Sequence, residues 1–251
     1  MKKLDTYLNL CTETYDLSKP TPPEDAYAFY RSYVSNTKGP ILEPMCGTGR
    51  FLLPLLEEHF NVRGFDASEH MLNVLHVKAK SMGLKPNVWR GFVEELDQPK
   101  EYGLIFIPSG SFGLISDLDA AKLALKTFYD HLLNDGILVF EVGTLKSASN
   151  QMGVWRGAAY QRKDGKMIIA NFLNLSLEEN IETSIIKYEL INGNHIVQTE
   201  IETYKLRLYE PQNLVTMIKN VGFREVRVVK AFVREQTPNE TDEVVVYECR
   251  K

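Results

Sequence analysis

The chain has few of the residues that mark metal, disulfide or triad chemistry. Its three cysteines, Cys11, Cys46 and Cys249, are scattered and form no Cys-x-x-C pair. That pattern argues against a disulfide framework or structural zinc and suits a reducing, cytoplasmic setting. The five histidines, His59, His70, His76, His131 and His195, are dispersed as well. No Ser-His-Asp order or metal-ligating cluster emerges, so no metal is expected. No run of about 18 apolar residues occurs, so no membrane-spanning helix is expected. The start, Met1-Lys2-Lys3-Leu4-Asp5, has no apolar stretch behind it and reads as no signal peptide. Positive charge is not in excess: 29 Lys and Arg face 33 Asp and Glu, a net charge of −4. A duplex nucleic acid demands a basic face, so this balance argues against such a partner.

The most informative segment is Ile41-Leu42-Glu43-Pro44-Met45-Cys46-Gly47-Thr48-Gly49-Arg50, followed by Phe51-Leu52-Leu53-Pro54-Leu55-Leu56. An apolar run ends in a carboxylate, turns through Gly-Thr-Gly and enters a helical pattern. The glycines clear side chains from a place where a ligand meets backbone, and a helix start offers free N–H groups. A second apolar strand, Val62-Arg63-Gly64-Phe65-Asp66, ends in an aspartate suited to ribose hydroxyls. A dinucleotide loop wants a third glycine where Leu52 stands, and Glu43 would repel a pyrophosphate. The same carboxylate suits the ammonium of S-adenosylmethionine (SAM), which the loop therefore favours over NAD.

Glu43 to Arg50, together with Gly64-Phe65-Asp66-Ala67-Ser68-Glu69-His70-Met71-Leu72, resembles the first two signatures of class I SAM-dependent methyltransferases. The resemblance covers roughly residues 12–144 and resumes at 207–251, where Leu208-Tyr209-Glu210-Pro211 and Val221-Gly222-Phe223 are similar to the family's close. It implies SAM as cofactor and S-adenosylhomocysteine (SAH) as product. It also implies a cofactor site of Tyr15, Glu43, Met45, Cys46, Gly47, Thr48, Gly49, Asp66, Ala67, Met71, Phe92, Val93, Glu94 and Pro108. Three positions depart from the pattern. Met45 replaces the first glycine, so its side chain must point away from the methionine moiety. Phe92 replaces an aspartate facing the adenine, leaving Phe92 or Glu94 for that contact, and Gly103 replaces the aspartate of the fourth strand. For the methionine carboxylate, Lys19 and Arg31 are the candidates.

Along the chain, residues 1–20 read as only partly regular. Thr21-Pro22-Pro23-Glu24 reads as a helix start with Thr21 as cap, running to about Ser35. Strands are expected near 40–44, 62–66, 87–90, 102–108 and 136–143, with helices at 49–58, 69–82 and 117–133. This alternation predicts an α/β, Rossmann-like, doubly wound and mostly parallel seven-stranded sheet. Between 145 and 208 the pattern changes. Lys163-Asp164-Gly165, Leu177-Glu178-Glu179-Asn180 and Asn192-Gly193-Asn194 read as hairpin turns between Met167–Leu175, Ile181–Ile191 and His195–Tyr209. That predicts an antiparallel sheet of three or four strands inserted after the fifth strand. A helix at 211–221 ending at Gly222 and strands near 224–231 and 243–250 complete the core. The expected organisation is therefore a core of 1–144 plus 209–251, with an N-terminal lid over about 1–36, and a β insertion at 145–208.

Methyl transfer from a sulfonium needs alignment, exclusion of water and the handling of one proton, but no dedicated nucleophile. No residue is assigned a catalytic role here. Ser109 and Ser111, in Pro108-Ser109-Gly110-Ser111-Phe112-Gly113, are candidates to orient an acceptor. Phe112, Trp155 and Tyr160 are candidates to line its pocket. The expected activity is methylation of an N or O atom of a small molecule. The alternatives are a tRNA or protein methyltransferase, or a non-catalytic SAM-binding regulator; a homodimer through the inserted sheet is also open.

Overall fold

The structure is a computed structural model that describes residues 4–97 and 102–251. The first three residues of the expected lid, and residues 98–101 of the expected core, lie outside the described residues. Elements follow the order α1 (Asn9–Ser18), α2 (Glu24–Asn36), β1 (Ile41–Pro44), α3 (Leu52–Glu57), β2 (Val62–Asp66), α4 (Glu69–Ser81) and β3 (Asn87–Arg90). The core continues with β4 (Tyr102–Ile107), α5 (Leu118–His131) and β5 (Leu132–Gly143). The insertion holds β6 (Trp155–Gln161), β7 (Met167–Glu178), β8 (Ile181–Asn192) and β9 (His195–Arg207), and the core closes with α6 (Pro211–Val221), β10 (Glu225–Lys230) and β11 (Val244–Arg250).

The main sheet has the strand order β10-β11-β5-β4-β1-β2-β3. β11 runs antiparallel to both neighbours while the pairs from β5 to β3 are parallel. The order reverses between β1 and β4, whose carboxyl ends therefore flank a crevice where ligands bind in such sheets. β4 and β1 are buried on both faces, which explains the apolar run of β4 and leaves Glu43 as a buried carboxylate within β1. Two apolar clusters cover the faces, one around Phe112, Phe128 and Phe140, the other around Tyr30, Phe51 and Phe106. Gly103 has a packing reason: a Cβ there would lie 2.5 Å from the carbonyl oxygen of Lys38.

Several boundaries differ from the sequence reading. Residues 9–18 form a regular helix, because Leu10 and Cys11 bury against Ile168, Ala170, Tyr188 and Leu190 of the inserted sheet. α2 starts at Glu24 after Pro23 with no side-chain cap, so Thr21 is not its cap. The expected helix 49–58 is only Leu52–Glu57, since Gly49 (φ 75°) is left-handed. α5 ends at His131 and the chain enters β5 at once, while Asp117 caps its start by accepting from Asp119 and Ala120 N–H.

The insertion is a separate antiparallel sheet in the order β6-β7-β8-β9. Its hairpins fall at the expected turns, with Glu179 (φ 50°), Asn180 (φ 64°) and Gly193 (φ 59°) left-handed. One face packs on α1. The other carries exposed Trp155, Leu175 and Ile201. Among the described residues, no helix is long and apolar enough to cross a membrane.

Gly49 is the tightest point of the first loop. A Cβ there would meet Leu53 Cγ at 2.8 Å and Leu75 Cγ at 3.0 Å, on a backbone already at positive φ. Gly49→Ala should cost about 2–4 kcal/mol of stability, read by urea denaturation. An unchanged midpoint would contradict this packing.

Candidate active site

The carboxyl ends of β1, β2, β4 and β5 each present one polar residue, and these converge. Glu43 on β1 is 2% exposed. Burial first, and the Asp66 charge second, hold its carboxyl well above the usual range. Its Oε2 is buried with no hydrogen-bond partner among the described residues. The chain then turns through Met45, whose φ of 57° is the left-handed conformation a glycine would adopt without strain. Cys46 and Thr48 are buried. Gly47 differs from Gly49, because a Cβ there would meet only Met71 Sδ, at 4.0 Å. Gly47 is thus the position where backbone lies open, and Gly49 serves packing.

Asp66 closes β2. Its Oδ2 accepts from Gly47 N–H and its Oδ1 from Ser68 N–H, each at 2.8 Å. The carboxylate thus braces the loop of the neighbouring strand as well as standing at the end of β2. Burial raises its pKa, opposed by N–H groups of Ser68, Gly47 and Ala67. Ser68 Oγ caps α4 by accepting from Met71 N–H and donates to Tyr7 O at 2.7 Å. After β3, Gly91 N–H donates to Asp66 O. This brings Phe92, half-buried, Val93, buried, and Glu94, exposed, next to the same crevice. Asp66→Ala should remove both braces and cost about 1–3 kcal/mol of stability besides weakening a ribose contact. Calorimetry and denaturation on one variant check both halves; an unchanged affinity would place the ribose elsewhere.

The N-terminal segment lies over these strand ends. Tyr15 lies beside Arg50 and Ser109, and Lys19 Nζ sits 5.1 Å from its ring centroid. Tyr7 neighbours Asp66 and Tyr15 electrostatically. Its N–H donates to Glu202 Oε2 at 2.7 Å, Leu8 N–H to Glu202 Oε1 at 2.9 Å and Leu10 N–H to Glu200 Oε2 at 2.7 Å. The start of α1 is thus capped by two carboxylates of β9. Arg31, a candidate for a carboxylate ligand, pairs instead with Glu58. Arg50, which donates to Thr21 O at 2.7 Å, is the arginine beside Tyr15.

Beyond buried Pro108, Ser109 (φ 63°) and Gly110 (φ 67°) are both left-handed. Ser109 N–H donates to Glu141 of β5. A cavity of about 660 Å³ opens here, lined by Asp25, Ser109, Glu141, Leu206, Lys230 and Phe232 among others. Ser111 Oγ turns back to Pro108 O. Phe112, read as an acceptor contact, is instead fully buried between Phe140 and Tyr209. Trp155 and Tyr160 are not among the residues lining this cavity. Trp155 is 52% exposed on the face away from α1, and Tyr160 packs on the α1 side. The insertion reaches the cavity through Ser147 and Leu206.

Sequence reasoning missed Tyr7, Arg50, Ser68 and Glu141. Glu141 had a signal, as the one charge within Leu138-Val139-Phe140-Glu141-Val142. A carboxylate ending an apolar strand is the mark that singled out Glu43 and Asp66.

Residues 41–136 match the model of a methyltransferase domain. A protein of Geobacillus sp. (strain WCH70), named provisionally as a methyltransferase, is 25% identical over 94% of this chain and 96% of its own. A SAM-dependent methyltransferase from Clostridium acetobutylicum ATCC 824 superposes with a TM-score of 0.78 at 20% identity, over 95% of this chain and 96% of that one. A sugar N-methyltransferase from Streptoalloteichus sp. ATCC 53650 gives 0.76 at 15% identity, over 100% and 97%. Residues 41–136 thus match a methyltransferase domain, the whole chain has the fold of a SAM-dependent methyltransferase, and the loop signatures and relatives support that activity.

Proposed function

We propose that the chain transfers the methyl group of SAM to a nitrogen atom of a small molecule. The observation that carries this reading is the cavity of about 660 Å³ that meets the cofactor crevice at Ser109 and Gly110. Its size suits a metabolite-scale acceptor. Its carboxylates, Asp25, Glu141, Asp242 and Glu243, face one lysine, Lys230, which lies 3.7 Å from Asp242. Such a lining suits a cationic amine better than a neutral hydroxyl. The likeness in fold to a sugar N-methyltransferase supports the same direction.

The residues present fit SAM. The orphaned Oε2 of Glu43 lacks the donor that an ammonium provides. Asp66 suits the ribose, the open backbone at Gly47 lets the ligand approach, and Arg50 with Lys19 suits the methionine carboxylate. Tyr15 and Tyr7 would cover the cofactor, with Phe92 or Glu94 at the adenine. When bound, SAM would supply a methyl group already activated on a sulfonium, whose sulfur would keep the electron pair of the C–S bond when the acceptor nitrogen takes the methyl. What remains for the chain is to align the acceptor, keep water out and accept one proton.

Incubation of the full chain with methyl-labelled SAM and matched amino and hydroxyl compounds should label the amino set. Calorimetry should show SAM and SAH binding in the micromolar range and no heat with NAD. Label found only on RNA or protein fractions would overturn the small-molecule reading.

A further inference from the structure

Resting on that reading of the cavity, we propose that Glu141 receives the acceptor's ammonium group and takes its proton. Glu141 stands at the carboxyl end of β5, 4% exposed, in the wall of the cavity. Its position is fixed from the adjacent strand, where Ser109 and Gly110 direct N–H groups to its carboxylate. Ser109 adopts a left-handed backbone to do so, a conformation that costs a non-glycine residue and is kept where the surroundings impose it. The groups around it are Asp25 and Tyr30 from α2, Arg50 from the first loop, and Lys230, Asp242 and Glu243 from the β10–β11 side.

An amine in neutral water is an ammonium, and an ammonium has no lone pair with which to accept a methyl group. In the step assigned to Glu141 one N–H bond breaks, its electron pair stays on nitrogen, and an O–H bond forms on the carboxylate. Two opposite charges become two neutral groups, a change that costs less in a water-poor cavity than in water, so the ion pair that forms on binding can pass its proton to the carboxylate. Burial pushes the Glu141 carboxyl up to about 7, against the lowering effect of the Ser109 and Gly110 N–H groups. It can therefore hold a proton at neutral pH, which an exposed glutamate cannot. A residue that merely clamps the 109–110 turn needs only a hydrogen-bond acceptor, a role that glutamine fills equally well.

Glutamate labelled at the side-chain carboxyl carbon, observed by NMR in the full chain, tests this. One resonance, absent from Glu141→Gln and also from Glu141→Asp, should titrate near neutrality. Methylammonium chloride should lower that midpoint, whereas sodium chloride at equal ionic strength and methanol should not. In the labelled-SAM assay, Glu141→Gln should lose the ascending limb of the kcat/KM profile against pH while its calorimetric SAM affinity stays within a few fold. A Glu141 resonance in the ordinary carboxylate range would overturn the inference. So would an equal response to methylammonium and sodium, or an unaltered pH profile in the variant. Absence of SAM heat with the native chain would instead overturn the methyltransferase reading on which it rests.

Discussion

Glu43→Gln is expected to weaken SAM binding by roughly 30–100-fold, about 2–3 kcal/mol, and yet to stabilise the free protein at neutral pH. Both effects come from one buried carboxylate. In the free chain Glu43 is desolvated, faces the Asp66 charge and leaves Oε2 without a donor, so its pKa stands above the usual value of 4.5. A raised folded pKa means that its stabilising contribution is complete below about 4.5 and is lost as pH rises through the folded value. Glutamine never ionises and avoids that loss. With SAM bound the balance inverts, because the ammonium needs the charged form. Binding by the native chain should therefore release protons and tighten as pH rises through the folded pKa of Glu43. Calorimetry in two buffers of different ionisation enthalpy reads that release, which should shrink in the variant. Equal dissociation constants for the two proteins would place the ammonium elsewhere.

Glu141→Gln should be more stable than the native chain at pH 8, by up to about 3 kcal/mol, and no more stable at pH 4.5. The Glu141 carboxyl moves from 4.5 to about 7, with burial as the main cause. The stability it contributes is complete below 4.5 and disappears between there and about 7, so only the native chain loses it. Glutamine can still accept from Ser109 N–H, which keeps the 109–110 turn in place. Urea denaturation at the two pH values measures the difference. A variant destabilised equally at both would show that the carboxylate is needed as a charge to hold the turn.

The sheet and the crevice at its strand ends were readable because their signals are local. Glu43 and Asp66 end short apolar strands, and Gly47-Thr48-Gly49 leads directly into α3. The hairpins of the insertion were readable for the same reason: Asp164-Gly165 and Asn192-Gly193 state their turn chemistry within a few residues. What escaped depends on distant partners. Residues 9–18 look irregular alone, and their apolar face makes sense only against Ile168, Ala170, Tyr188 and Leu190. Phe112 looked like a site residue because it follows Ser109, but the four-residue turn Ser111–Leu114 directs it into the core. Trp155 looked like a pocket wall because of its chemistry, whereas strand alternation puts it on the face away from α1. Glu141 was overlooked because β5 reads as a buried strand, and no pattern within it says that a cavity opens at its end.

The capping of α1 by Glu200 and Glu202 bears on how the chain is made. The bond from Tyr7 N–H to Glu202 joins residues 195 positions apart. A ten-residue helix without tertiary support is marginal in water, and this one has no capping side chain of its own. At synthesis rates of about 5–20 residues per second, β9 follows α1 by roughly 10–40 s. α1 therefore waits for some 190 residues of further synthesis before its partner strand exists. The crevice beneath it takes shape earlier, since β1, β2 and β4 precede the insertion. Only once β9 exists can Tyr7 settle between Glu202 and Ser68 and draw the N-terminal segment over the strand ends.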